Sequence, residues 1–459
     1  MARARKLVVV SNRGPYRREG GRWVRSAGGL VAALHPMLAD RGGVWVSAKQ
    51  AQHFETVEDT PDVAYDLAEV RINKKLQKGF YMGVSNAILW PLLHSFPTTM
   101  RVSEAPWPDY VKANEEFTKV IIGASKPADT VWIQDYHLML VPGMLRKKRA
   151  RSRIGWFCHV PWPPQTLFGI LPWRRQILEG LLGADVLGFH TQEYVDHFLE
   201  SVDAYTDFQV DRVRGVVKIG RRSVRVLPAP IGIPVDSLMN LAADPRVAEE
   251  VEELRAKIGD RRVFLGVDRL DYTKGIPERI RAFERLLSRS PAARKELVLV
   301  QIMVPSRTDV AAYAELKDDI DRLVGAVNGR FASTGTIPVQ YFYRNFDQRS
   351  LMAQYRAADV AVVTPLRDGM NLVAHEYVAS RVENDGVLIL SEFAGAANFL
   401  SDALLVNPYD VESITDAMEE ALAMSSRQKT KRIKRLRTAI KELDVHRWAD
   451  DYLRLLEHG

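Results

Sequence analysis

Residues Val263–Leu287 read VFLGVDRLDYTKGIPERIRAFERLL. Val263 to Val267 is a short run with no polar position. It predicts a strand buried on both faces, as in a parallel sheet covered by helices. Gly275 closes the turn, and Ile276 to Leu287 carries the apolar period of an amphipathic helix. Strand, polar turn and helix make half of a βαβ unit. The pattern recurs downstream as a strand at Leu297–Val304, a helix from about residue 309 to 327, and strands at Val339–Phe342, Val360–Thr364 and Val387–Leu390.

It recurs upstream as well. Lys6–Ser11 reads as a buried strand, and Gly28-Gly29-Leu30 opens a helix running toward Leu38. Further strands are predicted at Thr130–Ile133, Arg153–His159, Ala184–Phe189 and Ser223–Pro228. Arg17–Arg22 reads as a polar loop inserted after the first strand. Alternation of this kind over the whole length implies an α/β protein of two doubly wound domains. The break falls at PAPIGIP, Pro228–Pro234, whose prolines continue neither a helix nor a central strand. The expected organisation is residues 1–232, residues 233–444, and a C-terminal helix within 445–459 that packs back toward the first domain.

The 459 residues are 46% hydrophobic and 26% charged, which excludes a disordered or fibrous chain. No apolar run is long enough for a membrane span, and MARARKLVVV leads into a motif rather than a cleavage site, so a soluble cytoplasmic protein is expected. A net charge of +7 favours anionic partners, either nucleic acid or phosphorylated metabolites. The basic run Arg427–Arg437 lacks interleaved aromatics and reads as a solvated helix face, so no nucleic acid partner is expected. The single cysteine, Cys158, cannot form an intramolecular disulfide and reads as a small buried hydrophobe. Ten scattered histidines and one cysteine build no zinc site, and Asp319-Ile-Asp321 falls inside a charged helix. No metal and no cofactor are expected.

Chemistry concentrates after the strands. Ser11–Pro15 with Ser26–Leu30 places glycines between a strand and a helix, where backbone N–H groups approach a phosphate, although a plain tight turn reads equally well. Arg269 and Lys274 flank the turn after Val267 and converge on a diphosphate, or pair on the surface with Asp268 or Asp271. In PLRDGMNLVAHE, Asp368 is suited to sugar hydroxyls and the N–H groups of Gly369, Met370, Asn371 and Leu372 to phosphate or sugar oxygens. Glu376 lies one turn further, where a carboxylate accepts two ribose hydroxyls. Capping alone also accounts for an acid at a helix start. Arg13, Tyr81, Trp90, Asp135, His159 and Arg307 are polar or aromatic groups at strand ends or in loops. There is no nucleophile–base motif and no Walker lysine loop.

Together these stretches resemble the trehalose-6-phosphate synthase family of retaining sugar-nucleotide glycosyltransferases. The resemblance rests on VVVSNR (Val8–Arg13), AGGL (Ala27–Leu30), SNAILWP (Ser85–Pro91), WIQDYHL (Trp132–Leu138) and HVP from His159. It continues through DRLDYTKGIPER (Asp268–Arg279), NGRF (Asn328–Phe331), TPLRDGMNLVA (Thr364–Ala374), SEFAGAA (Ser391–Ala397) and VNPYD (Val406–Asp410), nearly end to end. It implies the GT-B fold, two Rossmann-like domains facing a cleft, with an N-terminal acceptor domain and a C-terminal nucleotide-sugar domain. It also implies transfer of glucose from a nucleoside-diphosphate glucose to glucose 6-phosphate, without a metal or a protein nucleophile, and allows a homo-oligomer.

The same resemblance implies roles. Arg269 and Lys274 bind the donor diphosphate with the Gly28-Gly29 loop. Asp368 and the backbone from Gly369 through Met370, Asn371 and Leu372 to Val373 hold the donor sugar and phosphates, Glu376 takes the ribose, and His159 contacts the donor sugar. Arg13, Tyr81, Trp90 and Arg307 grip the acceptor phosphate, and Asp135 its hydroxyls. Two positions depart from the family pattern. Ala48 stands where a second tryptophan of a Trp-x-Gly-Trp motif is usual, and His375 replaces a lysine. Relatives that glucosylate glycerol 3-phosphate share LHSFP (Leu93–Pro97) and ILPWR (Ile170–Arg174), so that acceptor stays open, as does a catalytically silent regulatory homologue.

Overall fold

The structure is a computed structural model that describes residues 6–19, 22–26, 29–49, 64–291, 293–306 and 311–458. The chain divides into two compact units, Met1–Ile231 with Val445–Gly459, and Gly232–Asp444.

The first unit is built on a nine-stranded sheet. Its strands are β1 (Leu7–Ser11), β4 (Gly43–Lys49), β5 (Asp66–Arg71), β6 (Thr130–Gln134), β7 (Arg153–Phe157), β8 (Val186–Phe189), β9 (Gln209–Asp211), β10 (Val216–Ile219) and β11 (Arg222–Pro228). Between the first two of these, β2 (Tyr16–Glu19) and β3 (Arg22–Arg25) pair antiparallel, Tyr16 opposite Arg25. The polar loop expected at Arg17–Arg22 is therefore largely strand. The stretch reads RREGGR, with no apolar alternation to mark a strand. The sheet order is β5-β4-β1-β6-β7-β8-β11-β10-β9, parallel through β11, with β10 and β9 antiparallel at one edge. All five residues of β1 and of β6 are buried, as a parallel sheet covered on both faces requires.

The helix Val445–His458 belongs to this unit. Trp132 of β6 stacks on Tyr452 with centroids 4.6 Å apart and planes 9° apart. The Tyr452 hydroxyl donates to the carbonyl of Trp156 at 2.8 Å. Gly155 and Gly188 make room for it: a Cβ on Gly188 meets Tyr452 Cε2 at 2.7 Å, and one on Gly155 meets Leu456 Cδ2 at 2.7 Å. Each large side chain buried in this way is worth about 1.5–3 kcal/mol.

The second unit carries six parallel strands: β12 (Arg262–Arg269), β13 (Leu297–Val304), β14 (Val339–Tyr343), β15 (Val360–Val363), β16 (Val387–Ser391) and β17 (Leu404–Val406). Their order is β14-β13-β12-β15-β16-β17. Counted from β12 this is 3-2-1-4-5-6, the Rossmann order. The helix Ile276–Arg289 lays Ile280, Phe283 and Leu286 against Phe264 and Leu299 of the sheet. The helix predicted from residue 309 is described over Ala311–Phe331. There Asp319 faces Arg322 and Asp321 lies 2.5 Å from Lys317 Nζ, a solvated ion-paired surface.

Candidate active site

In the second unit, β12 and β15 are neighbours from which the sheet winds in opposite directions. The crevice at their carboxyl ends is where such sheets bind ligands. Arg269 ends β12, half-buried. After one 3-10 turn Lys274 follows, and its Nζ lies 2.5 Å from Oδ2 of Asp368, in the loop after β15. Asn371 Nδ2 donates to the same oxygen at 3.0 Å. Asn371 holds φ +72°, a left-handed conformation, and the helix Leu372–Ser380 starts immediately after it. Its first turn, including Leu372 and Val373, presents backbone N–H groups at the positive end of the helix. Gly369 and Met370 complete the loop. A Cβ on Gly395 would sit 2.0 Å from the Gly369 carbonyl oxygen, and the Met370 carbonyl accepts from Ala396 N at 2.9 Å.

Arg279 underlies both loops and is fully buried. Its guanidinium donates to Asp268 Oδ2 (2.5 Å), Gln301 Oε1 (2.9 Å), Thr364 Oγ1 (3.2 Å) and the Lys274 carbonyl (3.4 Å). One side chain thus ties the exits of β12 and β15 to the middle of β13. Breaking such a buried pair costs about 3–5 kcal/mol, because the remaining charge has no water to turn to. Gly275 (φ +62°) lets the two loops touch, since a Cβ there would lie 2.1 Å from the Thr364 carbonyl oxygen. Glu376 sits in the second turn of the helix Leu372–Ser380, and Tyr355 Oη donates to its Oε2 at 2.9 Å. Desolvation raises the Glu376 carboxyl above its ordinary value, and the Tyr355 hydrogen bond opposes that rise.

In the first unit the winding reverses between β1 and β6. Arg13 follows β1, and its Nη2 donates to the Tyr81 hydroxyl at 2.9 Å. Tyr81 stacks on His137, centroids 5.8 Å apart and planes 10° apart. Tyr81 lies in a twelve-residue π-helix, Lys78–Leu89, that leads into Trp90. Such stretches are uncommon in proteins and concentrate at functional sites. Trp90 is buried against His94 (4.0 Å) and Tyr136 (6.0 Å). Asp135, directly after β6, holds φ +73°, rare for a residue with a side chain. Its Oδ1 accepts from His159 N at 3.3 Å, its carbonyl from Trp156 Nε1 at 3.1 Å, and His137 Nδ1 lies 3.8 Å from its Oδ2. His159 Nε2 is 2.9 Å from Gln134 Oε1. Burial, then the neighbouring His190, holds the His159 imidazole well below its ordinary value, so it is neutral and donates Nε2–H to that amide oxygen.

The structure thus gathers Arg13 with Tyr81, Asp135 with His159, and Lys274 with Asp368 and Asn371. Gly28 and Arg307 lie outside the described residues, and Gly29 is the first residue of the helix Gly29–Arg41. Ala48 N donates to the Asn12 carbonyl at 3.3 Å, which puts Ala48 next to the exit of β1, and Lys49 beside it pairs with Glu69 at 2.9 Å. His375 is fully buried in its helix, and Cys158 is buried. Sequence reasoning missed Tyr355, Gln134 and the guanidinium hub of Arg279. Tyr355 lies in no quoted motif, whereas Gln134 and Arg279 lie within WIQDYHL and DRLDYTKGIPER but act from beneath the residues that those motifs bring forward. Among the described residues no three of His, Cys, Asp or Glu gather as a metal-binding group, and no helix is long and apolar enough to cross a membrane.

The glycosyltransferase family 20 model matches residues 5–458, almost the whole chain. The chain belongs to glycosyltransferase family 20. Like other family 20 members of known structure it has the GT-B architecture of two Rossmann-like units. It is 43% identical over 463 residues to trehalose-6-phosphate synthase of Mycobacterium ulcerans, covering 97% of this chain and 93% of that protein. It is 42% identical over 462 residues to the bifunctional trehalose-6-phosphate synthase/phosphatase of Thermoproteus tenax, covering 98% of this chain and 63% of the length of that protein. Among solved structures it superposes with a TM-score of 0.91 on the UDP-forming alpha,alpha-trehalose-phosphate synthase of Burkholderia xenovorans in complex with glucose-6-phosphate. The identity is 32%, and the match covers 98% of this chain and 100% of that one. The E. coli protein bound with UDP-2-fluoro glucose gives a TM-score of 0.91 at 33% identity, covering 99% of each chain.

Proposed function

We propose that this family 20 chain moves glucose from UDP-glucose to glucose 6-phosphate, releasing UDP and forming α,α-trehalose 6-phosphate with retention at the anomeric carbon. The observation that carries the reading is the convergence of Lys274, Asp368, Asn371 and a helix N-terminus at the Rossmann switch point of the second unit. That set combines a cation and oriented N–H groups for phosphate with a carboxylate for sugar hydroxyls. Arg269 and Lys274 neutralise the charge that develops on the departing diphosphate. Asp368 and the backbone from Gly369 to Val373 hold the glucose and phosphates, with Glu376 on the ribose. Arg13 and Tyr81, already hydrogen-bonded, offer a fork and a hydroxyl to the acceptor phosphate beside Trp90, and Asp135 accepts from acceptor hydroxyls. The neutral His159 donates or accepts at the donor sugar without adding charge near the reacting carbon.

In the step itself the acceptor hydroxyl oxygen bonds to the anomeric carbon on the leaving-group face. The bond from that carbon to the diphosphate oxygen breaks, and the hydroxyl proton passes to the departing phosphate oxygen. The relative solved with glucose-6-phosphate and the one solved with UDP-2-fluoro glucose support this donor and acceptor pairing.

A donor-by-acceptor grid tests the proposal. UDP-, GDP- and ADP-glucose are each mixed with glucose 6-phosphate or glycerol 3-phosphate, and nucleotide release and sugar product are followed. Nucleotide release with UDP-glucose and glucose 6-phosphate, with an α,α-linked product, is the expected result. Release with glycerol 3-phosphate alone would overturn the acceptor, and silence in every well would overturn the activity.

A further inference from the structure

Tyr355 lies on the helix Gln348–Ala357, outside every motif that marks the donor loops. Its ring is buried, 2% exposed, and its hydroxyl donates to Glu376 Oε2 at 2.9 Å. Its own carbonyl accepts from Arg381 Nη1 at 2.9 Å, and Arg381 is in turn buried and tied through Nη2 to Asp385 Oδ1 at 2.5 Å. The residue is thus fastened at its backbone and at its far end. We propose that Tyr355 is a positioning residue for the nucleotide: by holding one oxygen of Glu376 it fixes the carboxylate plane and aims the other oxygen at the ribose diol. This rests on the reading of Glu376 as the ribose ligand.

The terminal torsion of a glutamate is broad and roughly two-fold, so packing alone does not set the plane of its carboxylate. One strong donor on one oxygen does. A hydrogen bond to the ionised form also keeps the group charged where desolvation favours the neutral acid. Burial, then Glu376 itself, pushes the Tyr355 phenol well above its ordinary value, so its proton stays in place and the hydroxyl always donates. A charged acceptor aimed at a diol distinguishes ribose from a deoxyribose, because each hydrogen bond to a charged group contributes more than a neutral one.

The test compares binding of UDP, 2′-deoxy-UDP and 3′-deoxy-UDP to the wild-type chain, to Tyr355→Phe and to Glu376→Gln, with thermal melts to show that each is folded. Phenylalanine keeps the ring, so the packing around it is retained. The wild type is expected to prefer UDP over each deoxy form by about tenfold or more, and in Tyr355→Phe the preference should fall to about threefold or less. The variant should also raise the donor KM and leave the acceptor KM unchanged. A role in packing alone would weaken all three nucleotides equally, so an unchanged preference in Tyr355→Phe overturns the proposal. Loss of preference in Glu376→Gln with retention in Tyr355→Phe would leave the ribose reading standing and remove the positioning role. Retention in both would remove the ribose reading as well.

Discussion

Lys274 and Asp368 stand 94 positions apart in the chain, yet Nζ of the lysine lies 2.5 Å from Oδ2 of the aspartate. Both side chains are mostly buried, with 11% and 13% exposed. The pair holds the loop after β12 to the loop after β15, and each member neutralises the other before any nucleotide arrives. Lys274→Ala should lower kcat/KM by about 10²–10³-fold, the range for removing one preorganised charge contact. The Lys274→Ala/Asp368→Ala double variant should be more stable than the sum of the two single losses, with a coupling of about 0.5–3 kcal/mol in a double-mutant cycle read by urea unfolding. Strict additivity would show that the contact is not formed in solution.

Asn371 gives a second prediction, from its backbone. At φ +72° a β-branched residue is strained, whereas glycine is not. Asn371→Val should be less stable than Asn371→Gly by about 1–2 kcal/mol. Both should lose donor affinity, because each removes the amide that bonds Asp368. Equal stability of the two variants would argue for a right-handed Asn371.

On the acceptor side the Arg13–Tyr81 hydrogen bond sets the expectation. Arg13→Ala should raise the acceptor KM by about tenfold or more while the donor KM moves little, since a charged hydrogen bond to phosphate is lost on one substrate only. Initial-rate kinetics with each substrate varied in turn decide it. Equal rises in both constants would remove Arg13 from the acceptor site.

Acid should act on stability through His159. Its folded imidazole resists protonation well below the ordinary value of 6.5, at which the unfolded chain takes up that proton. Below about pH 6.5 the unfolded state therefore binds more protons at this site, and stability falls as pH is lowered. His159→Gln should gain melting temperature relative to wild type as the pH is taken from about 8 to about 5. A difference that stays constant with pH would mean that His159 protonates freely in the fold.

Glu376 runs the opposite way. Its folded carboxyl titrates above the ordinary 4.5, so between the two values the folded state holds more protons and stability declines as pH rises. Above that window a constant cost of keeping a desolvated charge remains. Glu376→Gln should therefore stabilise the ligand-free chain more at neutral pH than at pH 4, while weakening nucleotide binding. Melts of both forms at the two pH values test it, and a variant no more stable at neutral pH would refute the desolvated carboxylate.

The strands that position the site were legible because burial on both faces leaves an uninterrupted apolar run. β12 and β15 are of this kind, and so are β1 and β6. The two edge strands of the first sheet were not: β5 reads DLAEVR and β9 reads QVD, with polar groups facing water. The pairing of β2 with β3 was hidden because Arg17–Arg22 reads RREGGR, without apolar alternation. Nothing in KGFYMGVSNAIL announces a π-helix, because its hydrogen-bond register is settled by tertiary packing around Tyr81 and Trp90. Motifs located Arg269, Lys274, Asp368 and Glu376, but not the Lys274–Asp368 contact or the phenol behind Glu376, since sequence spacing carries no distance between separate loops. The positive φ of Asp135 was equally out of reach, because aspartate is common at strand ends in ordinary geometry.

Tyr452 and Trp448 complete a core whose other members, Trp132, Trp156 and Phe157, lie some 300 positions earlier. On the ribosome, residues Gly232–Asp444 emerge as an uninterrupted stretch that can close on itself. The earlier half of the chain lacks the side chain that fills the space beside Gly155 and Gly188 until Tyr452 has been synthesised. The unit that is begun first is thus the one finished last.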